Sequence, residues 1–347
     1  MTTSTTSSPF LNAEPGVPAI MRQVLAALAP GAAVLVWQFG AGVLINVVLC
    51  AVSALAAEAL TLRARGRPLR PYLGDASALV TAALLGLALP PLTPWWIPVL
   101  GTLFAVVVAK QLYGGIGYNP FNPAMAGYAL LLIAFPLEMS RWPAPAGLIE
   151  GAPGWAEALR FSLTGHLGSG LDIDAVSMAT ALDYARTELT RGRTLQDIAS
   201  AQVFGPLGGR GAELVNLAFL AGGSWMLWRG TIRWHIPAAV LAGLMVPATA
   251  FWIADPLHHL GPVSHAFSGA AMLGAFFIAT DPVTASTTPR GRIIYGAGCG
   301  LITFAIRTWG GYPDGIAFAV LLMNMAVPTI DHFTRPRVFG RPRRGAR

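Results

Sequence analysis

Leu273-Gly274-Ala275-Phe276-Phe277-Ile278-Ala279-Thr280-Asp281-Pro282 closes an apolar run that begins near residue 264. The run is shorter than the roughly 20 apolar residues a membrane helix needs. It ends at a proline, which cannot continue a helix. A second run, 76–89, has the same form: Leu85-Gly86 leads to Leu89-Pro90-Pro91. Short, proline-ended spans at matching places in two halves of a chain mark broken helices around a midplane site. Read outward from these two, the apolar runs between breakers give ten spans: near 22–37, 39–62, 76–89, 94–113, 122–136, 212–228, 233–253, 264–280, 290–307 and 313–331. A further parallel links the halves. Tyr113-Gly114-Gly115, then Pro120 and a span ending at Pro136, matches Trp309-Gly310-Gly311, then Pro313 and a span ending at Pro328. Five spans per half is an odd number, so the halves must be inverted in the membrane. The expected fold is therefore all-α, a polytopic membrane protein of ten transmembrane helices in two inverted five-helix repeats. Its units are an N-terminal repeat (1–136), an outer loop (137–211), a C-terminal repeat (212–333) and a basic tail (334–347).

Composition agrees. The 347 residues are 54% hydrophobic and 11% charged, against about 45–50% and about 25% in soluble proteins. The mean hydropathy is +0.57. The first residues are rich in Ser and Thr and hold no apolar core of a cleaved signal peptide, so insertion is expected from the internal spans. The net charge is +7, but its distribution speaks for a membrane and against nucleic acid. Arg63, Arg65, Arg67 and Arg70 cluster between spans, and Arg335, Arg337, Arg341, Arg343, Arg344 and Arg347 cluster at the C-terminus. With both termini cytoplasmic, Lys110, Arg229, Arg233, Arg290 and Arg292 also fall inside, while the connections near 38, 90–94 and 255–263 carry no Lys or Arg. This is the positive-inside pattern of a multi-pass membrane protein. Only Arg307 sits at an outside end. The long 137–211 loop is then outside. It is too small to fold alone and is expected to pack on the membrane part or on a partner.

That loop carries Asp174-Ala175-Val176-Ser177-Met178-Ala179-Thr180, a short polar run ending in a hydroxyl. A phosphoester needs an accessible hydroxyl, which Thr180 offers, with Ser177 and Asp174 upstream. The plainer reading is an amphipathic loop helix, with periodicity over 171–189 and Ser177 as its N-cap. In the spans, Lys110, Asn119, Asn122, Glu213, Asp281, Asp314 and Asn324 are the costly polar groups. Each serves either a cofactor or ion path, or the capping of a broken helix. Gly114, Gly115 and Gly117 would let backbone approach a ring or ion closely. Asn119, Asn122, Thr280 and Asp281 are expected to meet near the pseudo-symmetry centre, around an inner cofactor or ion. Cys50 and Cys299 each stand alone in an apolar segment and read as buried core. His258, His259 and His265 cluster at an outer end without haem-ligand spacing across two spans. Trp95, Trp96, Trp225, Trp228, Trp234 and Trp252 near span ends read as an interfacial belt.

Longer blocks surround these residues. Met21-Arg22-Gln23-Val24-Leu25 follows Ser8-Pro9. Then come Gly114-Gly115-Ile116-Gly117-Tyr118-Asn119-Pro120-Phe121-Asn122-Pro123-Ala124, Gly211-Ala212-Glu213, Ala275-Phe276-Phe277-Ile278-Ala279-Thr280-Asp281-Pro282-Val283-Thr284, and Gly311-Tyr312-Pro313-Asp314-Gly315-Ile316-Ala317-Phe318-Ala319. In content and order, over nearly the whole chain, they resemble the RnfD family of Rnf ion-translocating electron-transport complexes. The chain is also similar to the related membrane subunit of the sodium-translocating NADH:quinone reductase, whose longer N-terminal region has no counterpart here. The resemblance implies FMN joined through its phosphate to Thr180, and a second, non-covalent flavin of the riboflavin type in the membrane part. Met178 departs from it, standing where the usual flavinylation signal has Gly. It further implies a urea-transporter-like architecture, electron transfer between ferredoxin and NAD coupled to Na⁺ or H⁺ movement, and the other Rnf subunits (A, B, C, E and G) as partners. No G-x-G-x-x-G follows a strand and no cysteine pattern holds an iron–sulfur cluster, so the chain is expected to be inactive alone. A channel or secondary transporter for a small polar solute fits the repeat and the broken spans equally, but leaves the Thr180 segment unexplained.

Overall fold

The structure, a computed structural model, describes residues 16–148, 153–168, 172–312 and 314–336. The Ser/Thr-rich start with Ser8 and Pro9, the tail arginines from Arg337 onward, and Pro313 lie outside them. The chain is mostly helical. Its helices are α1 (Val17–Phe39), α2 (Gly42–Ala64), α3 (Ser77–Ala88), α4 (Trp96–Leu103), α5 (Pro123–Ala134), α6 (Trp155–Thr164), α7 (Ala181–Thr190), α8 (Ala212–Trp228), α9 (His235–Ala254), α10 (Pro289–Trp309) and α11 (Ile316–Thr334). Four of them, α1, α2, α9 and α11, are long and apolar enough to cross a membrane, and Ser77–Ala88, Trp96–Gln111 and Pro123–Ala134 are shorter apolar helices. Strand is confined, among the described residues, to one antiparallel pair, β1 (Trp142–Pro143) with β2 (Ser177–Met178).

Two segments depart from regular helix in ways the apolar pattern does not signal. α4 continues as a π-helix over Phe104–Gln111, closed by i→i−5 bonds such as Leu112 N–H to Val107 O at 2.8 Å. The run 264–280 breaks internally as well as at Pro282. It is helical over Pro262–Ala266, irregular around Gly269, helical again over Ala271–Leu273, and a π-helix over Gly274–Ile278. Gly269 has φ +60°, in the left-handed region that suits glycine.

Backbone freed by such breaks has no water to turn to in a bilayer and must be satisfied by side chains. The sequence supplies them. Asn216 on α8 donates to Gly269 O at 2.9 Å and accepts from Met272 N–H at 3.0 Å. Arg307 donates to His265 O at 2.6 Å and to Ser268 O at 3.1 Å, and Asp314 accepts from Ala270 N–H at 2.6 Å. At the break after α3, Asn46 donates to Pro90 O at 2.8 Å and accepts from Thr93 Oγ1 at 3.0 Å. Arg307 is thus no exposed charge at a span end. It is buried and paired with Asp314 at 3.1 Å.

The loops sort to the two ends of the helices. At one end, the 137–211 segment binds the connections between helices. Ala146 N–H reaches Gln38 O at 2.7 Å, Trp95 N–H reaches Ser162 O at 2.8 Å, and Leu195 N–H reaches Leu257 O at 2.7 Å. As its length requires, this segment packs on the membrane part, with Phe161, Leu167 and Val176 closing a small core on Ala41 and Leu92. At the other end, Arg65 and Arg67 donate to Gln111 O at 2.6 Å and Gly114 O at 3.0 Å.

Candidate functional site

The residues expected to carry chemistry fall mainly into two places at opposite ends of the helices. The first is the Thr180 segment. It is not one continuous helix over 171–189. Residues Ile173–Val176 form a single turn, Ser177–Met178 pair as β2 with β1, and only then does α7 begin. Leu171, with residues 169 and 170, lies outside the described residues. The N-cap of α7 is Thr180, not Ser177. The Thr180 Oγ1 accepts from Asp183 N–H at 3.3 Å, because its extended backbone (φ −65°, ψ 157°) turns the hydroxyl back over the first turn. Thr180 is half-buried. Asp174 is exposed and meets Arg141 at 3.4 Å. Met178 pairs across the strand with Trp142. That is extended backbone open to any residue, so a side chain in place of glycine costs no backbone strain here.

The second place is a cavity of about 280 Å³ at the end that carries Arg65 and Arg67. It is bounded by the start of α1 at Met21, the start of α3 at Ser77, the turn before α5 at Asn119 and Asn122, and the Thr280–Asp281–Pro282 break. The break and the turn before α5 are tied together. Asn122 caps α5 through Met125 N–H at 3.2 Å, donates to Ile278 O at 3.4 Å, and its own N–H binds Asn324 Oδ1 at 3.1 Å. Asn324 in turn donates to Thr284 O at 3.1 Å and Tyr295 OH at 3.0 Å. Asp281 accepts from Val283 N–H at 3.2 Å and Thr284 Oγ1 at 3.0 Å, which fixes the turn after the break. Gly114 and Gly115 do not reach the cavity. With Gly117 they take φ of +128°, +102° and +91°, a turn only glycine makes cheaply, and so carry Ile116, Asn119 and Asn122 to its wall. Arg233 and Arg292 complete the rim.

Lys110 also lines the cavity, and its partner is a residue the sequence reading passed over. Its Nζ lies 2.7 Å from Glu58 Oε1 and donates to Ser77 Oγ at 2.7 Å, while Gln111 Nε2 donates to the same Glu58 oxygen at 2.7 Å. Both charged side chains are at most 3% exposed. The signal was present: Glu58 is an acid inside an apolar span, and the rule that flagged Lys110 applies equally to it. Glu213, by contrast, stands apart from the cavity and accepts from Leu207 N–H at 2.9 Å, holding the loop before α8. His265 is buried against Phe304, and among the described residues no group of side chains is arranged to hold a metal ion.

Two comparisons bear on these sites. The family model described as "NQR2, RnfD, RnfE family" matches residues 4–340. The chain is 52% identical over 342 residues to a protein of Cronobacter sakazakii named as the D subunit of an ion-translocating oxidoreductase complex, covering 96% of this chain and 98% of that one. It is 51% identical to proteins of the same name from Escherichia fergusonii and Citrobacter koseri, covering 96% of this chain and 97% and 98% of theirs. The match takes in both the Thr180 segment and the inner cavity, and the chain belongs to the NQR2, RnfD, RnfE family.

Proposed function

We propose that the chain is the RnfD-type membrane subunit of an ion-translocating oxidoreductase complex, with FMN joined to Thr180 and a second, non-covalent flavin in the inner cavity. The observation that carries this reading is the position of Thr180 at the N-cap of α7. A hydroxyl there is half-exposed, and as an ester oxygen it still has a lone pair for the Asp183 N–H. The phosphate would then lie at the first turn and positive end of a helix, the arrangement that favours anions. The inner cavity joins apolar walls to amide, hydroxyl and carboxylate groups from Asn119, Asn122, Thr280 and Asp281, which suits a flat ring with a polar edge. Bound flavin supplies one- and two-electron transfer. The chain's own part is to hold each ring at a fixed place and to keep bulk water from the inner one.

In this reading the helices form ten spans in two inverted repeats, with 1–136 and 212–333 as the membrane halves and the 137–211 loop periplasmic. Na⁺ or H⁺ movement accompanies electron flow, and the nucleotide and ferredoxin sites lie on the companion Rnf subunits (A, B, C, E and G). Ultraviolet illumination of the denatured chain on a gel tests the covalent flavin. The band should fluoresce, and Thr180→Val, which keeps the shape but loses the hydroxyl, should be dark while still inserting. A bright Thr180→Val band would sink the claim. Acid precipitation of the native chain tests the second flavin. Release of a flavin into the supernatant is expected, and its absence overturns that part alone.

A further inference from the structure

Helix α6, within the outer loop, has three faces rather than two. Ala158, Phe161 and Ser162 are buried, against the small core that Phe161 shares with Ala41, Leu92 and Val176. Arg160 and Thr164 are exposed and polar. The third face is exposed and apolar: Trp155, Leu159 and Leu163, at 61%, 49% and 61%, follow each other at i, i+4 and i+8 on one stripe. A loop helix standing in water would not hold three large apolar side chains in line, whereas an interfacial helix is built this way, with one arc for lipid and the next for water.

The surroundings say what covers the stripe. The Trp95 N–H at the head of α4 binds Ser162 O at 2.8 Å, so α6 lies at the level where a membrane helix begins. Two more tryptophans are open at this level, Trp37 at 67% and Trp95 at 46%, as in the aromatic belt at a bilayer surface. Beneath α6, α2 exposes Leu44, Val48 and Val52 down one flank, and its neighbours Ala41 and Ile45 pack under α6. The apolar stripe of α6 therefore continues an existing lipid-facing surface around its outer rim. We propose that α6 is an interfacial anchor, with Trp155, Leu159 and Leu163 in the boundary between headgroups and acyl chains and the polar face of Arg160 and Thr164 turned to water. Through Val176, packed behind it and leading into β2, the anchor fixes the height of the Thr180 segment above the membrane.

The test is nitroxide labelling of Leu159→Cys, Leu163→Cys and Thr164→Cys, in the chain alone and in the assembled complex, each reconstituted in phosphatidylethanolamine–phosphatidylglycerol vesicles. Cys50 and Cys299 are fully buried, so the added thiol is the reactive one, and all three positions lie off the buried face. Labels at 159 and 163 should collide several-fold more with oxygen, which partitions into lipid, than with a water-soluble nickel chelate. The label at 164 should show the reverse. Equal nickel access at all three sites would mean the stripe stands in water. Suppression of both collision rates at 159 and 163 in the complex would mean a partner protein covers it. Either result overturns the proposal.

Discussion

Lys110 and Glu58 show how the chemistry of single residues constrains this molecule. Two opposite charges out of water gain mutual attraction but lose hydration, and the balance is often close to neutral against an apolar pair. Removing one partner is different, because the other charge then stays buried alone. Lys110→Met should lower stability by about 3–5 kcal/mol, read as a fall in the thermal midpoint of the detergent-solubilised chain. The double variant Lys110→Met with Glu58→Met should recover most of that loss. Additive losses in the double variant would mean that the 2.7 Å pair is not the source of the cost. At this scale the sequence was partly legible. It flagged Lys110, Asn122, Asp281 and Asn324 from their cost in apolar spans. Which of them touch depended on contacts between residues far apart in the chain, such as Asn122 N–H with Asn324 Oδ1, and no local pattern encodes those.

Between elements, α9 and α10 pack most closely through glycine. A side chain at Gly300 would drive into the backbone of α9, within 2.7 Å of Leu244 N and against Val240 O, and Gly296 meets the Ile236 carbonyl in the same way at 2.8 Å. Small residues four apart that let helix backbones touch are the usual means of association in a bilayer, where no hydrophobic drive acts between helices. Gly298 lies on the same helix, but a Cβ there meets the flexible end of Met323. Gly300→Ala should therefore destabilise the chain by about 1–3 kcal/mol, the usual cost of overpacking, whereas Gly298→Ala should be nearly neutral. Equal midpoints for the two variants would refute close α9–α10 contact at Gly300. The glycine spacing is visible in the sequence. The π-helices at Phe104–Gln111 and Gly274–Ile278 are not, because an extra residue in a turn is set by what the turn packs against and leaves the apolar composition unchanged.

Across the whole molecule, the two sites lie at opposite ends of the helices, and charge tells those ends apart. The end with the inner cavity carries Arg65, Arg67, Arg233 and Arg292, two of them bound to backbone carbonyls at the end of the π-helix and the turn after it. Helix limits such as Ala212–Trp228 and His235–Ala254 were readable from hydropathy and breakers, because an apolar run ends where breakers or polar residues interrupt it. The break at Gly269 was not, since Asn216, Arg307 and Asp314 come to it from three other segments. The outer loop has its own arginines, but Arg191 and Arg193 are paired with Glu188 at 2.7 and 3.1 Å, and long loops translocate largely regardless of charge. The short connections therefore carry the orientation signal, and the proposed orientation, with the cavity end cytoplasmic, rests on them. A membrane-impermeant maleimide applied to intact cells should label Thr187→Cys, in the outer loop, and should label Arg335→Cys, exposed after α11, only once the cells are opened. If Arg335→Cys is labelled in intact cells and Thr187→Cys is not, the orientation is inverted. Labelling of both would mean an even number of crossings between them, which would break the pairing of the two halves as inverted five-helix repeats.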